Sequence, residues 1–230
     1  MKIALCGILL CWLCLGAAAQ TYKVRRVADG AIQVDGKGSS RSWRKANVLK
    51  DFVYPWDSAA PVPATSFAAL WDGKWLYCLY RVKDDSVITL VKNNDRMDVG
   101  GSDRVEMFLK KNDSMNLYYC MELDADGRRL DYNAAYYRRM NYPWSWPAED
   151  LIVKATRVKG GYNIEFAVSV SSLQQFGLLE GGRLQAGLFR AECKGMLNGR
   201  ADLRWISWVR PKSDHPDFHI PSAFGTLVLE

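Results

Sequence analysis

Residues 102–109 read Ser-Asp-Arg-Val-Glu-Met-Phe-Leu, and their strict alternation decides the fold class. Successive side chains of a β-strand point to opposite faces of its sheet. One face of this stretch carries the apolar residues Val105, Met107 and Leu109. The opposite face carries Arg104, Glu106 and Phe108. The pattern predicts a strand with one face on a core, and its arginine and glutamate form either an exposed ion pair or the floor of a polar binding site.

The next segment, residues 116–123, alternates in the same way. Its apolar face contains Leu117, Tyr119, Met121 and Leu123, and its other face contains Tyr118, Cys120 and Glu122. If the two strands pair, Glu122 lies on the face that carries Arg104 and Glu106.

The remaining chain repeats this design of short strands and tight turns. Residues 65–71 and 75–82 form a hairpin around Asp72-Gly73-Lys74, and residues 31–36 read as a strand that ends in an Asp-Gly turn. Residues 171–176 predict one short helix that begins at a serine cap. About ten strands with almost no helix and no internal repeat indicate an all-β, antiparallel β-sandwich in a single domain.

The first 19 residues have the features of a signal peptide. Lys2 supplies a positive charge, residues 3–15 are apolar, and Ala17-Ala18-Ala19 precedes Gln20 as a small-residue cleavage site. The prediction is a mature domain of residues 20–230, exported to the periplasm or the extracellular space, with no transmembrane span in the mature chain. Lipidation at Cys14 is the alternative, although Cys11-Trp12-Leu13 lacks the small residue that normally precedes a lipidated cysteine.

Three cysteines remain after removal of the signal: Cys78, Cys120 and Cys193. Each lies in a strand-like segment and has no His or Cys partner at metal-ligand spacing, so we expect small buried hydrophobic residues. Export would permit a disulfide between two of them, and the sequence leaves the pairing open.

The formal net charge is +6, with acidic and basic residues interspersed rather than blocked. Nucleic-acid binding normally uses a concentrated basic stripe, and the sequence contains none, so no nucleic-acid partner is expected. Nine Trp and eleven Tyr are many for 230 residues. Aromatic rings serve both as core residues and as platforms for sugars.

Two long loops deserve separate interpretations. The loop of residues 84–101 is rich in oxygen ligands and could hold a structural calcium ion, but its spacing matches no EF-hand and a solvated loop is the alternative. The insertion of residues 132–150 is aromatic and contains Trp144 and Trp146 between two prolines. These tryptophans either present their rings to a ligand or cap the core.

The sequence shows little catalytic chemistry. It has no nucleophile-elbow motif and no metal-binding His-Glu pattern, and its two histidines, His215 and His219, lie on a proline-containing loop. Glu106 and Glu122 could serve as an acid–base pair for glycoside cleavage, but two glutamates on one sheet face are common. The prediction is a protein that is not an enzyme.

The order of motifs resembles the family 9 carbohydrate-binding modules and their relatives among the DOMON-like β-sandwiches. The matching segments are residues 32–36 followed by Trp43, residues 69–72 leading to Leu76-Tyr77, residues 103–108, residues 162–167, residues 206–208, and Phe218-His219 with Pro221 and Phe224-Gly225.

This resemblance implies a jelly-roll-like sandwich that binds poly- or oligosaccharide between two aromatic rings without cleaving it. Glu106 corresponds to a family glutamate that contacts sugar, and Phe218 to one ring of the clamp. The second ring corresponds to Gly100-Gly101 here, and a family arginine corresponds to Cys120. Our hypothesis is that Trp144 or Trp146 replaces the lost ring. The predicted carbohydrate site is Arg104, Glu106, Glu122, Trp144, Trp146, Phe218 and His219.

Two other functions remain open. Some DOMON-like relatives bind haem, which here would need His219 with Met107 or Met121 as axial ligands, although methionines on a core face are more often packing residues. An interaction module without a small ligand is the other alternative. A sugar-binding protein could act beside a glycan-degrading enzyme, and no cofactor beyond structural calcium is expected.

Overall fold

The computed structural model describes residues 20–57 and 61–230. The predicted signal peptide and Cys14 lie outside the described residues. The strands, numbered in chain order, are β1 (Thr21–Arg26), β2 (Val48–Leu49), β3 (Thr65–Trp71), β4 (Trp75–Lys83), β5 (Arg104–Lys110), β6 (Tyr118–Asp124), β7 (Arg129–Ala135), β8 (Arg139–Asn141), β9 (Leu151–Val158), β10 (Gly161–Ser169), β11 (Leu179–Glu180), β12 (Arg183–Leu197), β13 (Arg200–Ser207) and β14 (Gly225–Leu229).

Helical structure in the described residues is short. The α-helix α1 spans Val170–Gln175, and 3₁₀ helices span Arg41–Lys45, Arg96–Gly101, Ala148–Asp150 and Pro221–Ala223. The predicted serine cap of α1 is Ser169 rather than Ser171, and its hydroxyl accepts a hydrogen bond from the Ser172 N–H at 3.0 Å.

The strands form a curled sheet whose two halves pack as a sandwich. The larger half has the order β8-β7-β6-β5-β12-β14, and the smaller half has the order β3-β4-β10-β9. Strand β1 joins the halves, since Thr21–Val24 pair with β14 and Arg25–Arg26 pair with β3, both in parallel. The all-β sandwich prediction is confirmed, with the correction that the sheet is mixed rather than wholly antiparallel.

The predicted alternation of β5 and β6 sets which residues fill the core. Val105, Met107 and Leu109 lie in the main core between the two halves, and so do Tyr119 and Met121 of β6. The opposite face of this half carries a second apolar cluster around Phe108, Tyr118, Phe189 and Phe218. The side chains on this outer face are therefore held in place by a second packed apolar cluster.

A segment predicted as a strand, residues 31–36, is instead a loop on the outer face of the smaller half. The backbone N–H groups of Asp35, Gly36 and Gly38 donate to the Glu165 carboxylate at 2.9–3.2 Å. The Trp43 indole N–H donates to the same carboxylate at 2.8 Å, which keeps that tryptophan in the packed layer, as the sequence predicts. The backbone N–H groups of this loop are thus satisfied by the buried Glu165 carboxylate instead of by the carbonyl groups of a neighbouring strand.

A second buried charge, Arg190 of β12, also has a structural role. Its guanidinium lies 2.8 Å from Asp84 and donates to Thr65 Oγ1 at 3.2 Å. The three cysteines, Cys78, Cys120 and Cys193, are buried and free, and burial raises the pKa of each thiol. Buried thiols of raised pKa are poor nucleophiles, so they act as packing residues.

Candidate functional site

The floor of the candidate site is a buried charge cluster on the outer face of β5 and β6. Glu106 and Glu122 are directly opposite each other in the ladder. The Arg104 guanidinium lies between them, with Nη2 2.8 Å from Glu106 Oε1 and Nε 2.8 Å from Glu122 Oε2. The prediction that these three side chains share a face is confirmed.

Neighbouring groups fix the cluster in place. Arg104 Nη1 donates to the Gly100 carbonyl at 2.8 Å, and the Tyr132 hydroxyl donates to Glu122 Oε1 at 2.8 Å. Burial raises the pKa of Glu106; the Glu122 charge adds to this rise and Arg104 opposes it. Burial disfavours the charged form of Arg104, but the two carboxylates outweigh that effect and raise its pKa. The floor is therefore a rigid set of charges with little conformational freedom.

Aromatic rings form the walls of a pocket of about 240 Å³ above this floor. Phe218 stacks on Phe189 at a centroid distance of 4.0 Å and is flanked by Trp56 at 5.4 Å and Trp205 at 5.7 Å. The Arg104 guanidinium lies 5.4 Å from the Trp205 ring centroid. Trp56 and Trp205 keep partly exposed ring surface at the mouth, so they can contact a ligand that rests on the floor.

The opposite wall comes from the β7–β8 region. Tyr142 lies 4.9 Å from Tyr132 between ring centroids, and it is 39% exposed. The pocket therefore has exposed ring surface on two sides and the polar side chains of Arg104, Glu106 and Glu122 below. Such a combination suits a ligand with apolar C–H faces and polar edges.

The rim carries His219, Asp217 and Arg138. The His219 Nδ1 atom lies 3.0 Å from the Tyr118 hydroxyl, and the ring is 8% exposed. Burial, assisted by the Arg138 charge and opposed by Asp217, lowers the pKa of His219 to about 4. The imidazole is therefore neutral at pH 7, and it offers a neutral hydrogen-bonding group beside the charged floor.

The structure brings together five of the seven predicted site residues. Arg104, Glu106, Glu122, Phe218 and His219 all line the pocket. That these five residues bind carbohydrate remains a prediction.

Trp144 and Trp146 do not line this pocket, which corrects the hypothesis that one of them replaces a clamp ring. Trp146 is 1% exposed, belongs to the main core, and donates from its indole to Ser172 Oγ at 3.0 Å. Trp144 packs on Tyr119 and Phe176 at centroid distances of 5.1 and 5.9 Å. The alternative interpretation, that both tryptophans cap the core, agrees with this position.

Sequence reasoning missed the three pocket rings that keep exposed surface: Trp56, Trp205 and Tyr142. The position of Trp205 could have been predicted from the strand alternation of β13, because Ile206 is buried and its neighbour Trp205 therefore points to the opposite face. Trp56 lies in a proline-bounded loop without periodicity, and only the fold brings it to Phe218. Gly100 lines the pocket, and Cys120 is buried beneath the same face.

The proposed haem ligands do not fit. Met107 and Met121 point into the main core and are 1% and 0% exposed. His219 lies on the opposite face of the same strands, against Phe108 at 5.0 Å. One iron cannot be reached from both faces of a sheet, so the pairing of His219 with either methionine is wrong.

The predicted calcium loop uses its carboxylates internally. Asp98 accepts hydrogen bonds from the N–H groups of Lys92, Asn93 and Asn94 at 2.8–3.2 Å, and Asp95 accepts from the Met97 N–H at 2.8 Å. Within residues 20–57 and 61–230, no group of three or more His, Cys, Asp or Glu side chains is arranged to hold a metal ion. Structural calcium stays a prediction without a located site.

None of the helices in the described part of the chain is long and apolar enough to cross a membrane. What the fold and the pocket define is a β-sandwich protein with a small, aromatic-walled polar cavity on the outer face of one sheet.

The chain belongs to the carbohydrate family 9 binding domain-like family, which matches residues 34–230. The predicted resemblance is therefore confirmed. No curated protein is significantly similar in sequence.

Solved structures share the fold. A proposed carbohydrate-binding protein from Bacteroides uniformis is 21% identical, with a TM-score of 0.72 over 93% of this chain and 100% of that chain. A family 9 carbohydrate-binding module from Caldicellulosiruptor kristjanssonii in complex with cellotriose is 15% identical, with a TM-score of 0.58 over 92% and 94% of the two chains. A module from the same organism in complex with glucose is 18% identical, with a TM-score of 0.57 over 92% and 96%.

Proposed function

We propose that this protein is an exported, non-catalytic carbohydrate-binding module. The observation that carries the proposal is the pocket itself, in which the Arg104–Glu106–Glu122 floor lies beneath exposed ring surface of Trp56 and Trp205. The C–H faces of a pyranose pack on aromatic rings, while charged donors and acceptors bind its hydroxyls. Family membership and the two Caldicellulosiruptor structures in complex with cellotriose and glucose support the same ligand class.

The size of the pocket favours one end of a saccharide. A volume of about 240 Å³ is small beside the roughly 300–1,000 Å³ of typical ligand cavities, so it fits a short ligand or the end of a longer one. We infer that poly- or oligosaccharide chains are bound by their ends, with Phe218 and His219 completing the wall and rim.

The geometry argues against glycoside cleavage. A glycosidase places its two carboxyl groups on either side of the scissile bond. Here Glu106 and Glu122 bind one guanidinium and both lie in the floor, on the same side of any ligand above them. They are suited to binding rather than to acid–base chemistry.

We also propose that a glycan-degrading enzyme is the partner of this module. Export to the periplasm or the extracellular space is the part of the proposal that rests on residues 1–19. The features that support export are the charged, apolar and small-residue regions before Gln20. N-terminal sequencing of the secreted protein would test cleavage at Gln20.

The binding proposal is tested by a glycan screen of the purified protein, followed by calorimetric titration of the best ligand. We expect Glu106→Gln and Trp205→Ala each to weaken binding tenfold or more, about 1.4 kcal/mol or above. Trp144→Ala and Glu165→Gln are matched controls, since they alter a tryptophan and a buried glutamate away from the pocket. Equal losses in the controls, or no ligand among plant, host and microbial glycans, would reject the pocket and favour a protein-interaction module.

A further inference from the structure

The smaller half of the sandwich has an outer face that its covering segment only partly protects. Residues 27–46 pack over the outward-facing Leu70, Tyr77 and Leu79 and form a third apolar cluster. Beyond that cluster the same face continues with Ser66, Arg81 and Lys83. This uncovered end is a groove of about 470 Å³ on the opposite half of the molecule from the sugar pocket.

The charge of this groove is one-sided. Its nine lining residues are Lys50, Ala64, Thr65, Ser66, Arg81, Val82, Lys83, Val158 and Asn163, of which three are cationic and none is acidic. Within the described part of the chain, Lys50, Arg81 and Lys83 form no ion pair with a carboxylate. The Arg81 guanidinium donates from Nη2 to the Gly38 carbonyl at 3.3 Å.

The strand ladder places these cations in a regular array. Ser66 is directly opposite Arg81, and Arg81 is directly opposite Asn163 on the next strand. Lys50 follows β2, which pairs with β3, so it lies about two strand spacings, roughly 9–10 Å, from Arg81. Lys83 is two residues along β4 from Arg81, roughly 7 Å away on the same face. Three positive charges on a rigid surface thus face open solvent.

We infer that this groove is a second binding site, specific for an acidic glycan segment whose carboxylate or sulfate groups pair with Lys50, Arg81 and Lys83. The Ser66 hydroxyl and the Asn163 amide lie between the cations and suit sugar hydroxyls. The inference is independent of the sugar pocket, whose lining shares no residue with the groove.

Other polyanions fit this surface less well. The lining contains no aromatic ring on which a nucleic-acid base could stack. Val158 is the one strongly exposed large apolar residue of the lining, at 44%, which is too little to insert into a membrane. Cations interleaved with hydroxyl and amide groups favour a hydrated, charged polysaccharide.

The test uses the whole protein and four probes: polygalacturonate, dextran sulfate, neutral dextran, and a single-stranded oligonucleotide. These four are the soluble probes. We expect polygalacturonate or dextran sulfate to bind with a dissociation constant that rises steeply with salt, because the contacts are exposed ion pairs. Neutral dextran should show no binding in the groove. Vesicles of phosphatidylglycerol and phosphatidylcholine test the membrane alternative.

Two variants isolate the groove. Lys50→Gln, Arg81→Gln and Lys83→Gln combined should weaken acidic-glycan binding at least tenfold. The milder pair Lys50→Gln with Lys83→Gln should also weaken it, without touching the Arg81 hydrogen bond. A control that removes the same charge elsewhere combines Lys92→Gln, Arg200→Gln and Lys212→Gln, three exposed cations outside the groove.

Several outcomes would overturn the inference. Unchanged binding in both groove variants would do so, as would an equal loss in the charge-matched control, since that result would reflect net charge alone. Preferential binding of the oligonucleotide or the vesicles would assign the surface to another class of partner. A Trp205→Ala variant that keeps acidic-glycan binding separates this site from the sugar pocket, so that either proposal can fail without the other.

Discussion

Replacement of Arg104 by methionine is the most informative perturbation of the pocket floor. Methionine keeps most of the apolar stem of the side chain but removes the charge that Glu106 and Glu122 share. These two glutamates are 2% and 6% exposed, so water cannot compensate them as it would at the surface. Breaking a buried ion pair by removing one partner costs about 3–5 kcal/mol. Because two carboxylates lose the same partner, we expect a loss near the upper end of that range at pH 10, above the pKa of about 8 that Glu106 has in the wild type.

The destabilisation should depend on pH with a defined sign. Burial already raises the pKa of Glu106, and Arg104 is the group that opposes the rise. Without Arg104 the folded-state pKa rises further above the unfolded value, so the penalty is full at high pH. As the pH falls through the folded-state pKa, the carboxyl binds a proton and the penalty disappears. The pKa of Glu106 in the wild type is raised to about 8, so the difference in unfolding free energy between wild type and variant should shrink as the pH falls from 10 to 7.

Urea unfolding followed by tryptophan fluorescence at several pH values measures this difference. The matched control is Arg157→Met, which removes an arginine from its 2.7 Å pair with Asp126. Those side chains are 44% and 42% exposed, and pairs of this kind contribute about 0–1 kcal/mol. A loss below about 1 kcal/mol for Arg104→Met at pH 10, unchanged between pH 10 and pH 7, would refute the reasoning and show that the floor is solvated.

Three further predictions concern stability. Trp146→Ala should cost about 3–5 kcal/mol by opening a cavity in the main core, with glycan affinity unchanged in the protein that remains folded. His219→Gln should reduce the loss of unfolding free energy at acid pH. In the unfolded chain the histidine binds a proton near its ordinary pKa of 6.5, whereas in the folded protein it does so only near 4. The wild type therefore loses roughly 3 kcal/mol of unfolding free energy as the pH falls between these two values. Gly36→Ala should cost more than the about 1–2 kcal/mol of a left-handed backbone, because its Cβ would lie 2.9 Å from the Ala155 backbone nitrogen; Gly199→Ala, at φ +74° with open space around it, shows the backbone cost alone.

Thermal and urea unfolding check all three. Reduced glycan affinity in folded Trp146→Ala would show that this ring contributes to the binding site. A His219→Gln profile parallel to wild type between pH 6.5 and 4 would contradict a neutral buried imidazole. Equal losses for Gly36→Ala and Gly199→Ala would show that the loop over the smaller half moves aside without cost.

The sequence by itself determined the parts of the molecule that follow local periodicity. The alternation of residues 104–109 and 118–123 fixes which side chains enter the core, and the ladder then requires Arg104, Glu106 and Glu122 to share the outer face. The hairpin around residues 72–74 follows from turn chemistry in the same way. These features are readable because each depends only on neighbours in the chain or on one strand pairing.

Only the tertiary structure decided which rings surround that floor. Trp56, Trp205 and Phe218 come from three separate segments, and local periodicity does not predict that their rings meet. Trp144 and Trp146 look like a ligand-facing arm in the sequence, but the core beside Tyr119 and Phe176 accepts both rings. Burial of a large aromatic surface is non-directional, so the destination of such a ring depends on where the fold leaves a space. The floor is therefore a property of two strands, whereas the walls are a property of the whole sandwich.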